Sequence, residues 1–152
     1  MSKHLAHIRW QRDDAVFVDQ RYSRRHCWIF DGGTRIAAAA SPHVVAPSLT
    51  DATAVDPEEA FVASIASCHM LWFLSLAAAA GICVDSYNDQ AVGTLANIDG
   101  RLAISEVVLH PRLTFAGTPP TAEQVAGLHE AAHARCFIAA SVRCAIRIDA
   151  DG

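Results

Sequence analysis

The sequence has no surplus of positive charge: 12 Lys and Arg stand against 16 Asp and Glu, giving a net charge of −4 and a pI near 6.0. Without a basic patch, nucleic acid and anionic membrane surfaces are not expected partners. The opening stretch MSKHLAHIRWQRDD lacks the apolar core of a signal peptide, so the expected location is cytoplasmic. Thiols stay reduced there, and the five cysteines lack the spacing of a disulfide framework. They read as core residues, metal ligands or redox-active thiols. Internal repeats and low-complexity tracts are also missing. A composition of 52% hydrophobic and 18% charged residues suits one domain, residues 1–152, with a substantial core.

What the sequence does have is one long apolar run, Asp56 to Val84. Asp56 reads as an N-cap, Pro57 as the first helical residue, Glu59 as the partner in a capping box and Gly81 as the stop. Between cap and stop lie about 24 residues, roughly 36 Å of helix. No side chain after Glu59 is charged, and both faces are apolar: Phe61, Ile65, Cys68 and Trp72 on one, Val62, Ala66, Met70 and Phe73 on the other. A membrane span is rejected, because no Lys or Arg flanks the run and Ser64, Ser67, Cys68, His69 and Ser75 interrupt it. The expectation is a buried central helix, too long for 152 residues to wrap, and so partly covered by a second subunit.

Before this helix, strands are predicted at His4 to Trp10, Ala15 to Tyr22, Cys27 to Phe30 and Ile36 to Ala40, followed by a long loop from Ser41 to Val55. After it, strands are predicted over Val84 to Asn97 and Arg101 to Phe115 around the turn Asp99-Gly100, with phase changes that imply a bulge or bend. Thr121 and Gln124 open a second helix whose buried stripe is Val125, Leu128 and Ala132. Cys136 to Ser141 reads as a short irregular or helical turn. In the last strand, Val142, Cys144, Ile146 and Ile148 alternate with Arg143, Ala145 and Arg147. This order predicts an α+β fold with antiparallel sheets.

Three groups of residues could carry chemistry. His129-Glu130-Ala131-Ala132-His133 is a literal HExxH, which could bind zinc with Glu130 as base, but it needs a third ligand. Cys136 and Ala139 stand where the extended motif has Gly and His, so His129 and His133 read as helix-surface and interface residues. A mixed zinc site from Cys68, His69, His133 and Cys136 suffers from geometry: adjacent helical residues point about 100° apart. The third group is Cys68 and Cys136 without metal, which from residue types alone reads either as buried core or as a redox pair.

The run Asp56-Pro57-Glu58-Glu59-Ala60-Phe61 leading to Ala66-Ser67-Cys68, with Ala132-His133-Ala134-Arg135-Cys136 and the residues after it, resembles the osmotically inducible protein C and organic hydroperoxide resistance (OsmC/Ohr) family. The resemblance implies an intertwined homodimer, antiparallel sheets around long central helices, and cofactor-free, metal-free, thiol-dependent reduction of organic hydroperoxides. By position Cys68 resembles the peroxidatic cysteine, Cys136 the resolving one, and Glu58 the glutamate that orients an arginine. Arg24 is the expected arginine, with Arg25 and Arg35 behind it. Glu58 lies ten residues, about 15 Å, before Cys68 on one helix, so a site assembled across two subunits is expected. His69, Phe137 and Ile138 depart from the better-known branches, which leaves open the peroxide and the reducing thiol, a dihydrolipoyl-type dithiol being one candidate. The contrasting expectation is a non-catalytic stress or small-molecule binding protein on the same fold.

Overall fold

The computed structural model describes residues 1–150. They fall into two compact units, Met1–Ala60 and the chain from Phe61 onward. The first unit is an antiparallel meander of β1 (Ala6–Arg9), β2 (His26–Phe30) and β3 (Arg35–Ala38), with Ile8 opposite Trp28 and Cys27 opposite Ala37. The strand predicted at Ala15 to Tyr22 is not there. That segment holds a single 3-10 turn, Phe17–Asp19, closed by Gln20 at φ 59°. Local packing outweighs β-propensity here: Trp10, Phe17 and Tyr22 cluster with centroids 4.5 to 5.7 Å apart, and Arg24 binds the carbonyl oxygens of Gln20 and Tyr22. The loop from Ser41 onward rejoins the sheet through Val55, whose N–H donates to the Ala37 carbonyl at 3.0 Å.

Helix α1 (Pro57–Ala79) starts and ends as its sequence indicates. The Glu59 N–H donates to Asp56 Oδ1 at 2.7 Å, and the Asp56 N–H donates to Glu59 Oε2 at 3.0 Å, completing the capping box. At the other end Gly81 adopts φ 73° and the Ile82 N–H reaches back to the Ala77 carbonyl at 2.9 Å, a Schellman closure. By length and composition α1 could cross a membrane, yet from Phe61 onward it packs into both apolar clusters of the second unit. Ile65, His69, Phe73 and Ala77, spaced one turn apart, are its buried stripe. Ile65 packs with Val107 and Leu109 of the sheet below, and Phe73 and Ala77 pack with Ala132 of the second helix.

The second unit holds two sheets. β4 (Val84–Asp89) pairs antiparallel with β7 (Pro111–Phe115), while β5 (Val92–Ile98), β6 (Arg101–Leu109) and β8 (Ala145–Ile148) form the other. Each of the two long predicted strands is therefore split between sheets. The predicted phase changes are real: Ser105 is an extra residue opposite Thr94 and Leu95, and the chain turns a corner at His110 before Pro111, which has no N–H for a ladder. One pairing departs from the antiparallel expectation, since β8 runs parallel to β6 with Val107 opposite Ile146. The crossover that permits this contains α2 (Ala122–Arg135), whose N-terminus carries the full Thr121–Gln124 capping box. The strand predicted from Val142 begins only at Ala145, yet Val142 and Cys144 before it and Ile146 and Ile148 on it pack against the core as their alternation indicates.

Candidate functional site

Cys68 and Cys136 lie in the second unit, and the fold brings their thiols into contact. Cys68 is half-buried in the middle of α1. Cys136 is the C-cap of α2, in extended rather than helical conformation, and is 1% exposed. Its Sγ accepts the Ala139 N–H at 3.3 Å, and its carbonyl accepts the Ala140 N–H at 3.0 Å, so the turn after the helix holds the sulfur inward. Burial pushes the Cys136 thiol pKa up, and its hydrogen bond with Cys68 adds to the rise; the Ala139 and Ile138 N–H groups oppose it.

An aromatic wall adjoins the thiols. Trp72, one turn beyond Cys68, meets Phe137 edge to face at 5.6 Å and 83°, and the Arg135 guanidinium lies 5.9 Å from the Trp72 ring. Phe137 is 71% exposed, so this wall opens outward. The sequence marked Phe137 only as a departure from the better-known branches and Arg135 only as part of the family-like run, and neither as part of a site wall.

Glu58 and Arg24 belong to the first unit. Arg24 donates to the Gln20 carbonyl at 2.8 Å and to that of Tyr22, and its guanidinium sits 3.8 Å over the Tyr22 ring. Arg25 pairs with Asp51 at 3.4 Å, and Arg35 is exposed on β3. Among the described residues none of the three pairs with Glu58, whose Oε2 is buried without a hydrogen-bond partner.

His129, expected on the helix surface, is instead buried at 4% exposure. Its Nδ1 lies 3.0 Å from Nε2 of His69, itself 1% exposed, with the rings within 8° of parallel. Burial holds both imidazoles down to a pKa of about 4, and for His69 the neighbouring His129 and His133 add to it. Both rings are therefore neutral near pH 7. His133 points outward, and among the described residues no group of three His, Cys, Asp or Glu could hold a metal ion. Among the described residues the HExxH pattern thus has no third ligand of the kind it requires.

The OsmC-like protein family matches residues 50–151. An OsmC-like protein of unknown function from Vibrio cholerae O1 biovar eltor is 49% identical, with 98% of this chain and 99% of that chain covered and a TM-score of 0.95. An organic hydroperoxide resistance protein from Elizabethkingia anophelis is 18% identical over 97% of this chain and 93% of that chain, TM-score 0.72. The organic hydroperoxide resistance protein OsmC of Legionella pneumophila is 16% identical over 98% and 95%, TM-score 0.69. At such identities the last two share the fold. No curated protein matches the chain. With two thirds of its length matched by the family and a half-identical relative along nearly all of it, the chain belongs to the OsmC-like protein family.

Proposed function

We propose that this protein is a thiol peroxidase that reduces organic hydroperoxides to alcohols, acting in the cytoplasm as a homodimer of one OsmC-like domain per chain. The contact between the Cys68 and Cys136 thiols is the observation that carries this reading. The Cys68 thiolate attacks the peroxide: an S–O bond forms, the O–O bond breaks, and the departing alkoxide takes up a proton and leaves as alcohol. The Cys136 sulfur then attacks the Cys68 sulfenic acid; the S–S bond forms, the S–O bond breaks, and hydroxide leaves with the thiol proton as water. A dithiol, dihydrolipoyl-type in chemistry, reopens the disulfide by exchange. The aromatic wall of Trp72 and Phe137 favours an apolar peroxide substituent over hydrogen peroxide.

The homodimer rests on α1. Ala63, Ser64, Ser67, Leu71 and Ser75 leave one face of it exposed, and the Ser64 and Ser67 hydroxyls bind the Phe61 and Ala63 carbonyls, so that the face is less polar than it reads. In a dimer the partner's arginine would meet the Glu58 carboxylate, whose Oε2 is unpartnered, with Arg24 as the assigned side chain.

The test is reaction of the reduced protein with one equivalent of cumene hydroperoxide, followed by peroxide loss and by intact and peptide mass spectrometry. The reading requires a Cys68–Cys136 disulfide, an inert Cys68→Ser variant, and a Cys136→Ser variant that stops at or beyond the sulfenic acid. Persistent thiols and untouched peroxide would leave ligand binding on this fold as the better account.

A further inference from the structure

The imidazole pair is the largest buried polar feature that the peroxide chemistry does not use. Each neutral ring carries one N–H. A single hydrogen between His69 Nε2 and His129 Nδ1 therefore leaves one donor and one acceptor at the outer nitrogens. Those outer atoms, His69 Nδ1 and His129 Nε2, are buried without partners. Two apolar side chains of this volume would fill the site beside Phe73, whose ring centroid is 4.4 Å from that of His129, with no unpaired polar atoms. A merely space-filling role does not account for the pair.

Its placement supplies a role. His69 follows Cys68 on α1, so the two side chains leave that helix about 100° apart. Their partners are His129 on α2 and Cys136, the C-cap that ends it seven residues on; at helical spacing that is two turns, hence nearly one face and about 10 Å along the axis. Beside the apolar packing of Phe73 and Ala77 on Ala132, the two helices are thus joined at two polar points, one thiol to thiol and one ring to ring. Apolar contacts are non-directional, so packing and a single thiol contact leave α1 room to adjust its rotation against α2. The ring contact, directional and with rings within 8° of parallel, removes that freedom.

We propose that the His69–His129 hydrogen bond positions the redox pair, holding Cys68 and Cys136 at the separation and orientation from which the disulfide closes. This rests on reading the two cysteines as a redox couple, not on the identity of the oxidant. His69 and His129 are positioning residues and touch no substrate.

The test is the equilibrium between dithiol and disulfide in glutathione buffers, in which one glutathione disulfide is reduced to two glutathiones for each protein disulfide formed. In His69→Phe the constant for disulfide formation falls tenfold or more, while His69→Gln, whose amide N–H replaces Nε2, stays within about threefold of the wild type. Melting temperature and circular dichroism establish that each variant is folded. Nitrogen-15 spectra of the unmodified protein give an independent readout: a coupling across the N–H···N bond is present, and the ring resonances of both histidines shift when the disulfide closes. A folded His69→Phe with the wild-type constant, or ring resonances unchanged on oxidation, overturns the inference alone. A wild-type protein that forms no Cys68–Cys136 disulfide at any glutathione ratio overturns the redox reading along with it.

Discussion

Asp89 Oδ1 accepts the backbone N–H of His110 at 2.8 Å, and this bond turns the corner at which the chain leaves one sheet of the second unit for the other. His110 separates β6 from β7, and Pro111 behind it has no N–H to offer a neighbouring strand. Burial raises the Asp89 pKa, against the opposing pull of the His110 N–H and ring. Replacement by alanine leaves a half-buried N–H unpaired. Asp89→Ala is expected to lose about 1–3 kcal/mol, and Asp89→Asn, which keeps the acceptor oxygen, to lose less. Urea unfolding followed by tryptophan fluorescence measures both.

Stability should depend on pH through the imidazole pair. Both rings titrate near 4 in the folded chain against 6.5 for an unperturbed histidine. Between those values the unfolded chain binds more protons, so this stabilising effect is complete above pH 6.5 and is lost as pH falls toward 4. The slope reaches about 1.4 kcal/mol per pH unit for each histidine. Denaturation midpoints at half-unit steps between pH 4 and 7 should show this fall in the wild type and a flatter profile in His129→Leu.

Gly93 of β5 lies against α1 so closely that a Cβ there would meet Val62 Cγ2 at 2.5 Å. A β-branched side chain in a helix has essentially one rotamer, so Val62 cannot swing away. Gly93→Ala is expected to destabilise by about 1–3 kcal/mol. Val62→Ala makes the room, so the double variant should lose less than the sum of the two single losses, a coupling read from a double-mutant cycle.

Leu71, 62% exposed, sits between Ser67 and Ser75 on the uncovered face of α1. If a second copy covers that face, a carboxylate at this position is left desolvated and unpaired. Sedimentation equilibrium at micromolar concentration should give twice the 16.3 kDa chain mass for the wild type and a single-chain mass for Leu71→Glu. A wild-type protein of single-chain mass would end the dimer proposal.

Both helix starts were legible because capping is local: Asp56 with Glu59 and Thr121 with Gln124 need only three residues of sequence. The alternation of Val142, Cys144, Ile146 and Ile148 was equally direct. Sheet exchange was not, since only tertiary packing decides where Val84 to Asn97 is cut. His129 was misplaced by residue type, although it lies four residues after Val125 and three before Ala132, within the same buried stripe. The contact of Cys68 with Cys136 depends on how α1 crosses α2, which no spacing encodes.

Cys68 and Cys136 bracket β4 through β7 and all of α2. A bond between them would close a ring of about 69 residues, and in the chain-entropy account that constraint on the unfolded ensemble is worth about 4 kcal/mol. The oxidised form would then resist unfolding more than the reduced one. Reopening of the disulfide by a thiol would relax a topological tie as well as complete a turnover.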